Sequence, residues 1–180
     1  MLSRDEAIAE LTAAGQVFEL ETVQIWGNPV RVFKNAPATL REVWANAATR
    51  GDTAYFHYSG ETITYGEADR RVRSLAVWLH ARGVGKGDRV AVGMRNYPEW
   101  AMAHWAIQTI GAVTVSLNAW WIAEELKYAL TDSGATAVIV DGERLERLSP
   151  DLLSTCGVHS TVVVRGDARA DAFAWDDVTA

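Results

Sequence analysis

The sequence predicts an α/β fold in which a mostly parallel sheet carries helices on both faces. Three observations point there. Apolar runs suited to strands begin near Arg89, Val113, Ala137 and Thr161, a constant 24 residues apart, with helical patterns between them. Ala137-Val138-Ile139-Val140 is apolar without alternation, as a strand covered on both faces requires. The segment from about Pro98 to Ile110 is apolar on nearly every side, interrupted mainly by His104 and Gln108, so it reads as a helix sandwiched between layers. Short parallel strands at this spacing call for right-handed helical crossovers, and a doubly wound, Rossmann-like open sheet satisfies them.

The elements follow in order along the chain. Ser3 and Glu6 have capping-box spacing for a short helix ending near Gly15, and Ile25 to Lys34 reads as one extended segment closing at Asn35-Ala36-Pro37. Thr39 and Glu42 repeat the capping signal for a helix carrying Leu40, Val43, Trp44 and Ala47 and stopping at Gly51. These two helices and the extended segment form an N-terminal extension, residues 1–52; residues 53–180 form the α/β part. Ala54 to Tyr58 and Thr62 to Tyr65 flank Ser59-Gly60 as a β-hairpin. Thr64 and Glu67 cap a helix whose positions Ala68, Val72, Leu75, Ala76 and Leu79 make one apolar face, ended by Gly83.

A chain of 180 residues is long enough for a core. Its net charge of −6 comes without a long run of either sign, which argues against a nucleic-acid partner. The single cysteine, Cys156, has no disulfide partner and no metal-ligand spacing with any histidine cluster, so the expectation is no bound metal and a reducing, cytoplasmic setting. No secretory signal opens the chain, since Ser3, Arg4, Asp5 and Glu6 stand where an apolar run would be needed. Trp100 to Ala123 lacks charged residues for 24 positions, the length of a membrane span. Gln108, Gly111, Ser116 and Asn118 interrupt it, and a buried helix followed by a buried strand is the better account; peripheral membrane contact stays open.

Candidate chemistry is sparse. The loop Gly83-Val84-Gly85-Lys86-Gly87-Asp88 has glycines and a lysine, but it runs from helix into strand and lacks a following Ser or Thr. A helix C-cap and turn explains it better than a phosphate cradle. His57, His80, His104 and His159 have no partner at a spacing that suggests a relay, and no catalytic residue is assigned. Open α/β sheets bind ligands beyond the carboxyl ends of their strands, where Asn96, Tyr97, Asn118 and Trp120 fall; these are the substrate-pocket candidates. Three of them also have a plain alternative, helix capping for the asparagines and packing for the tryptophan. Arg144 and Arg147, at i and i+3 after Asp141-Gly142, could face one anion, or could pair with Glu143 and Glu146 on a solvated helix.

Five motifs in order carry a family resemblance: T-Y-G-E at Thr64–Glu67, G-D-R-V-A-V at Gly87–Val92, N-Y-P-E-W at Asn96–Trp100, G-A-V-T-V-S-L-N at Gly111–Asn118, and E-L-K-Y-A-L-T-D-S-G-A at Glu125–Ala135. Together they resemble the front of the adenylate-forming (AMP-binding) superfamily over about Ala54 to Val164, with Phe33 to Leu40 similar to the lead-in of acyl-CoA and fatty-acid-CoA ligases. The resemblance implies a parent that uses ATP and Mg2+ to form an acyl-adenylate from a carboxylic acid and then passes the acyl group to coenzyme A. It implies coenzyme A phosphate contact for Arg144 and Arg147. The family usually has Pro where Ser116 stands. The family's phosphate loop, metal-binding Glu, ribose-binding Asp and C-terminal Lys have no counterpart before Ala180. The chain is therefore expected to be inactive alone, to bind no cofactor tightly, and to need the rest of the adenylation domain and a C-terminal domain as partners. Two alternatives accompany this reading, a non-catalytic interaction or scaffold module and an adenylate-forming enzyme for a different acid, and the exposed inter-subdomain face is open to self-association.

Overall fold

A computed structural model describes residues 2–180, which divide into two compact units, one ending at Thr39 and the other spanning Leu40–Ala180. In the first unit, α1 (Arg4–Leu11) starts on the expected capping box: Ser3 Oγ accepts from Glu6 N at 3.3 Å and Glu6 Oε2 accepts from Ser3 N at 2.8 Å. It stops at Leu11, short of Gly15. The stretch expected as one extended segment is a hairpin, β1 (Leu20–Ile25) paired antiparallel with β2 (Asn28–Phe33). Trp26 and Gly27 make its turn with φ of 48° and 80°, the doubly positive geometry of a tight hairpin turn.

The second unit begins with α2 (Leu40–Ala48). α2 is held within this unit by Trp44. Its ring is buried against Trp105, with centroids 5.3 Å apart, and its Nε1 donates to Asp69 Oδ1 at 3.0 Å. The hairpin of β3 (Ala54–Tyr58) and β4 (Glu61–Thr64) turns at Ser59-Gly60 as expected, both with positive φ. α3 (Tyr65–Ala81) is capped by Thr64, whose hydroxyl accepts from Glu67 N at 3.1 Å, and it buries Ala68, Val72, Leu75, Ala76 and Leu79, the face read from the sequence.

From here strand and helix alternate: β5 (Arg89–Gly93), α4 (Pro98–Thr109), β6 (Val113–Ser116), α5 (Ala123–Ser133), β7 (Ala137–Asp141), α6 (Gly142–Leu145), α7 (Pro150–Thr155), β8 (Ser160–Val164), β9 (Phe173–Ala174) and α8 (Trp175–Thr179). The five strands form one sheet in the order β6-β5-β7-β8-β9, every pair parallel. Val90, Val92, Ile139 and Val162 face a core completed by α2, α3, α4 and α8. Ala91, Val138, Val140 and Val163 face a second core with Leu126 and Leu130 of α5, Leu145 of α6 and Leu153 of α7. The sheet is thus covered on both faces, as its apolar strands require. Met102, Ala103, Ala106 and Ile107 of α4 are fully buried, and among the described residues no helix is long and apolar enough to cross a membrane.

Candidate functional site at the carboxyl edge of the sheet

Numbered within the sheet, the strands run 2-1-3-4-5. The direction of winding reverses between β5 and β7, and ligands in open α/β sheets bind outside such a reversal. Here that position is filled by a knot of the protein's own polar groups. Asp141, at the end of β7, accepts from Arg95 N at 3.0 Å through Oδ2 and from Arg144 N at 3.0 Å through Oδ1. Arg144 Nη1 bonds both carboxylate oxygens, at 3.2 and 3.0 Å, and its Nε donates to Ala119 O at 2.6 Å. The Arg144 and Asp141 side chains are 0% and 3% exposed. One ion pair therefore ties together the loops that follow β5, β6 and β7.

Arg147 serves the same loop from outside. Its Nη1 donates to Trp121 O at 2.8 Å and Ala119 O at 3.3 Å, while Nη2 pairs with Glu143 at 2.6 Å. The two arginines share two of the protein's own groups, the Ala119 carbonyl and the Glu143 carboxylate, whose oxygens accept from Arg144 Nη1 at 2.8 Å and from Arg147 Nη2 at 2.6 Å. Arg144 has no surface left for a ligand; Arg147 keeps 27% of its side chain exposed, and its pairing with half-exposed Glu143 is open to competition from an anion.

The four pocket candidates separate into two places. Asn96 and Tyr97 line a shallow pocket of about 260 Å3 with Phe56, His57, Tyr58 and Trp100. Arg165 packs on two of these aromatics: Nε donates to Glu99 at 2.9 Å, and the guanidinium lies 4.8 Å from the Tyr58 ring centre and 5.0 Å from that of Tyr97. Asn118 instead accepts from Trp120 N at 2.9 Å, a local turn bond, and leaves the Trp120 ring 70% exposed. Against that ring, at 4.3 Å, lies the guanidinium of Arg95. Arg95, Glu99 and Arg165 were not singled out from the sequence; the signal for Arg95 was its place directly after an apolar strand.

Gly142 and Gly166 bring the ends of β7 and β8 close together: a Cβ at residue 166 would stand 2.6 Å from Gly142 Cα. The loop at Gly83–Asp88 is the turn the sequence suggested, with Gly83 and Gly87 at φ of 84° and 88° and Asp88 Oδ2 accepting from Gly85 N at 2.8 Å. Among the described residues no group of three or more His, Cys, Asp or Glu side chains is placed to hold a metal ion.

His104 sits between Trp100, stacked at 5.7 Å, and Trp105, with Nδ1 at 3.1 Å from Thr114 Oγ1. Burial holds its imidazole below the ordinary value of 6.5. The unfolded chain then binds this proton more readily, so His104's contribution is present above about pH 6.5 and is lost as the pH falls through that value toward the lowered folded one. Calorimetry between about pH 7 and about pH 5 is expected to show a larger fall in Tm for the native chain than for His104→Gln; equal slopes would remove His104 from the account.

A model of the family described as AMP-binding enzyme matches residues 43–179. A long-chain-fatty-acid–CoA ligase of Salmonella typhimurium is 31% identical over 146 residues, covering 80% of this chain and 26% of its own length. A feruloyl-CoA synthase of an Amycolatopsis species is 41% identical over 92 residues, 51% of this chain and 19% of that protein. The crystal structure of a long-chain-fatty-acid-CoA ligase from Archaeoglobus fulgidus superposes with a TM-score of 0.68 at 25% identity, covering 80% of this chain and 30% of that one. The chain thus spans about a quarter of the length of the Salmonella relative.

Proposed function

The chain belongs to the AMP-binding enzyme family, and from that premise we propose that it is the front part of an ATP-dependent acyl-CoA ligase whose acid is a long-chain fatty acid. The observation that carries this reading is the match to the Salmonella ligase over 80% of the chain. In the proposed reaction the carboxylate attacks the α-phosphorus of ATP, pyrophosphate leaves, and the thiol of coenzyme A then displaces AMP from the acyl-adenylate. Adenylation replaces hydroxide, which cannot leave, with AMP, which can.

The residues of this chain support positioning rather than bond-making. Among the described residues no three His, Cys, Asp or Glu side chains gather as a ligand set, and no step is routed through Mg2+. The reading assigns Arg147 to a coenzyme A phosphate, which would displace Glu143, while Arg144 holds the loop from beneath; the partial exposure of Arg147 supports this. Asn96 and Tyr97 offer the acid an aromatic-lined pocket wall, and Trp120 offers an exposed face on the neighbouring loop. The reading places the protein in the cytoplasm, where ATP and coenzyme A are found. A different acid, of the aromatic class that the Amycolatopsis relative is named for, is the second reading, favoured by the higher local identity of that match.

Acid-dependent ATP–pyrophosphate exchange tests these readings in two settings. The 180-residue chain alone is expected to give none above background, because it carries no group assigned to the chemistry. Joined to the remaining three quarters of the Salmonella relative, it is expected to support exchange with palmitate. Exchange by the chain alone overturns the inactivity, exchange with ferulate in place of palmitate overturns the fatty acid, and a folded chimera without exchange overturns the ligase assignment.

A further inference from the structure

The open edge of the sheet at β6 plays no part in the ligase reading. We propose that it is a docking edge for an extended segment of another protein, one with alternating apolar side chains and Lys or Arg at its flanks. Among the described residues β6 has one neighbour, β5. Val113 N donates to Asp88 O at 2.7 Å and Leu117 N to Val92 O at 2.9 Å. By the two-residue period of a strand, Thr114 and Ser116 therefore turn their N–H and C=O groups outward, toward no strand. Edge strands are commonly protected by lysine, proline or a bulge. This one, Val-Thr-Val-Ser in continuous register, has none of them.

Beside the edge, a groove of about 630 Å3 runs between β6 and α5 over Val115, Leu117, Trp121, Ile122 and Tyr128. Ile122 is 57% and Tyr128 71% exposed. A strand added at β6 would place every second side chain in this groove, which is how edge-binding domains combine backbone affinity with side-chain choice. The lining also holds Glu124, Glu125 and Asp132 and no basic side chain, and this selects the charge of the occupant. It selects against a second copy, which would bring the same three carboxylates to a chain already at −6.

The test uses the 180-residue chain and the peptide KVYVTVK, with amide exchange followed by NMR. Saturating peptide is expected to slow exchange of the Thr114 and Ser116 amides by about tenfold or more, the effect of two weak backbone bonds acting together. A peptide with both lysines replaced by glutamate is expected to have no effect. Ser116→Pro removes one outward N–H without touching the bonds to β5 and is expected to abolish the protection; Tyr128→Ser, outside the strand, is expected to weaken it about tenfold. Four results overturn the proposal: unchanged Thr114 and Ser116 amides at millimolar KVYVTVK, equal protection by the glutamate peptide, protection that grows with protein concentration alone, and amides already protected in the chimera without peptide. The last two identify the occupant as a second copy or as the remainder of the domain.

Discussion

Replacing Arg144 by methionine is expected to destabilise the Leu40–Ala180 unit by roughly 3–5 kcal/mol, the usual cost of leaving one member of a buried ion pair unpaired. The substitution strips Asp141, 3% exposed in the native protein, of its charged partner, and it leaves the Ala119 carbonyl with only the longer bond from Arg147. Arg144→Lys is not expected to rescue it, since a single ammonium cannot reproduce an Nε bond to Ala119 and an Nη1 bond to both oxygens of Asp141. Adding Asp141→Asn to Arg144→Met should recover part of the loss: the amide oxygen still accepts a backbone N–H, and the buried charge is gone. Urea denaturation of the four proteins reads this directly. A cost for Arg144→Met below about 1 kcal/mol, the range of an exposed pair, would mean that the guanidinium is not enclosed as described.

Trp44→Ala carries the next largest effect, roughly 3–5 kcal/mol for a large aromatic removed from a core. Trp44 is 3% exposed, stacks on Trp105, meets Tyr55 at 5.4 Å and gives its indole N–H to Asp69. The same denaturation experiment bears on the division of the chain. A chain beginning at Leu40 is expected to unfold cooperatively, with the Trp44→Ala penalty undiminished. If the penalty disappears when the first unit is removed, α2 belongs with that unit instead.

The central architecture was legible because its signals are local and redundant. β5, β6 and β7 begin at Arg89, Val113 and Ala137 as read, and β8 begins at Ser160, one residue before the expected Thr161. The apolar face of α3 follows from its spacing, α4 as a buried helix from its near-continuous apolarity, and the turn at Ser59-Gly60 from its composition. What was missed lacks such signals. Trp26-Gly27 turns a hairpin without the Asn or Asp that usually precedes the glycine, so β1 and β2 read as one segment. β9 is two residues long and has no period to detect. The arginines show the limit at the site. Arg144 and Arg147 share a spacing that fits an anion site or a solvated helix equally well. Only the fold reveals that one is sealed beneath a loop and the other lies partly at the surface. That sealing depends on Ala119, 25 residues earlier, a partner no local pattern can announce.

The strand order also sets a timetable. β5 lies inside the finished sheet, between β6 and β7, yet it is the first of the five to be synthesised. During translation it can pair with β6 once Ser116 has emerged, but its other edge has no partner until Asp141 does. For the interval in which those 25 residues are added, at roughly 5–20 residues per second, Val90, Ala91 and Val92 stand at the rim of a two-stranded intermediate. A strand flanked on both edges in the mature protein is thus half open at birth: α2, α3 and α4 are already made to cover Val90 and Val92, and α5, made in that interval, is the first cover for Ala91 on the opposite face.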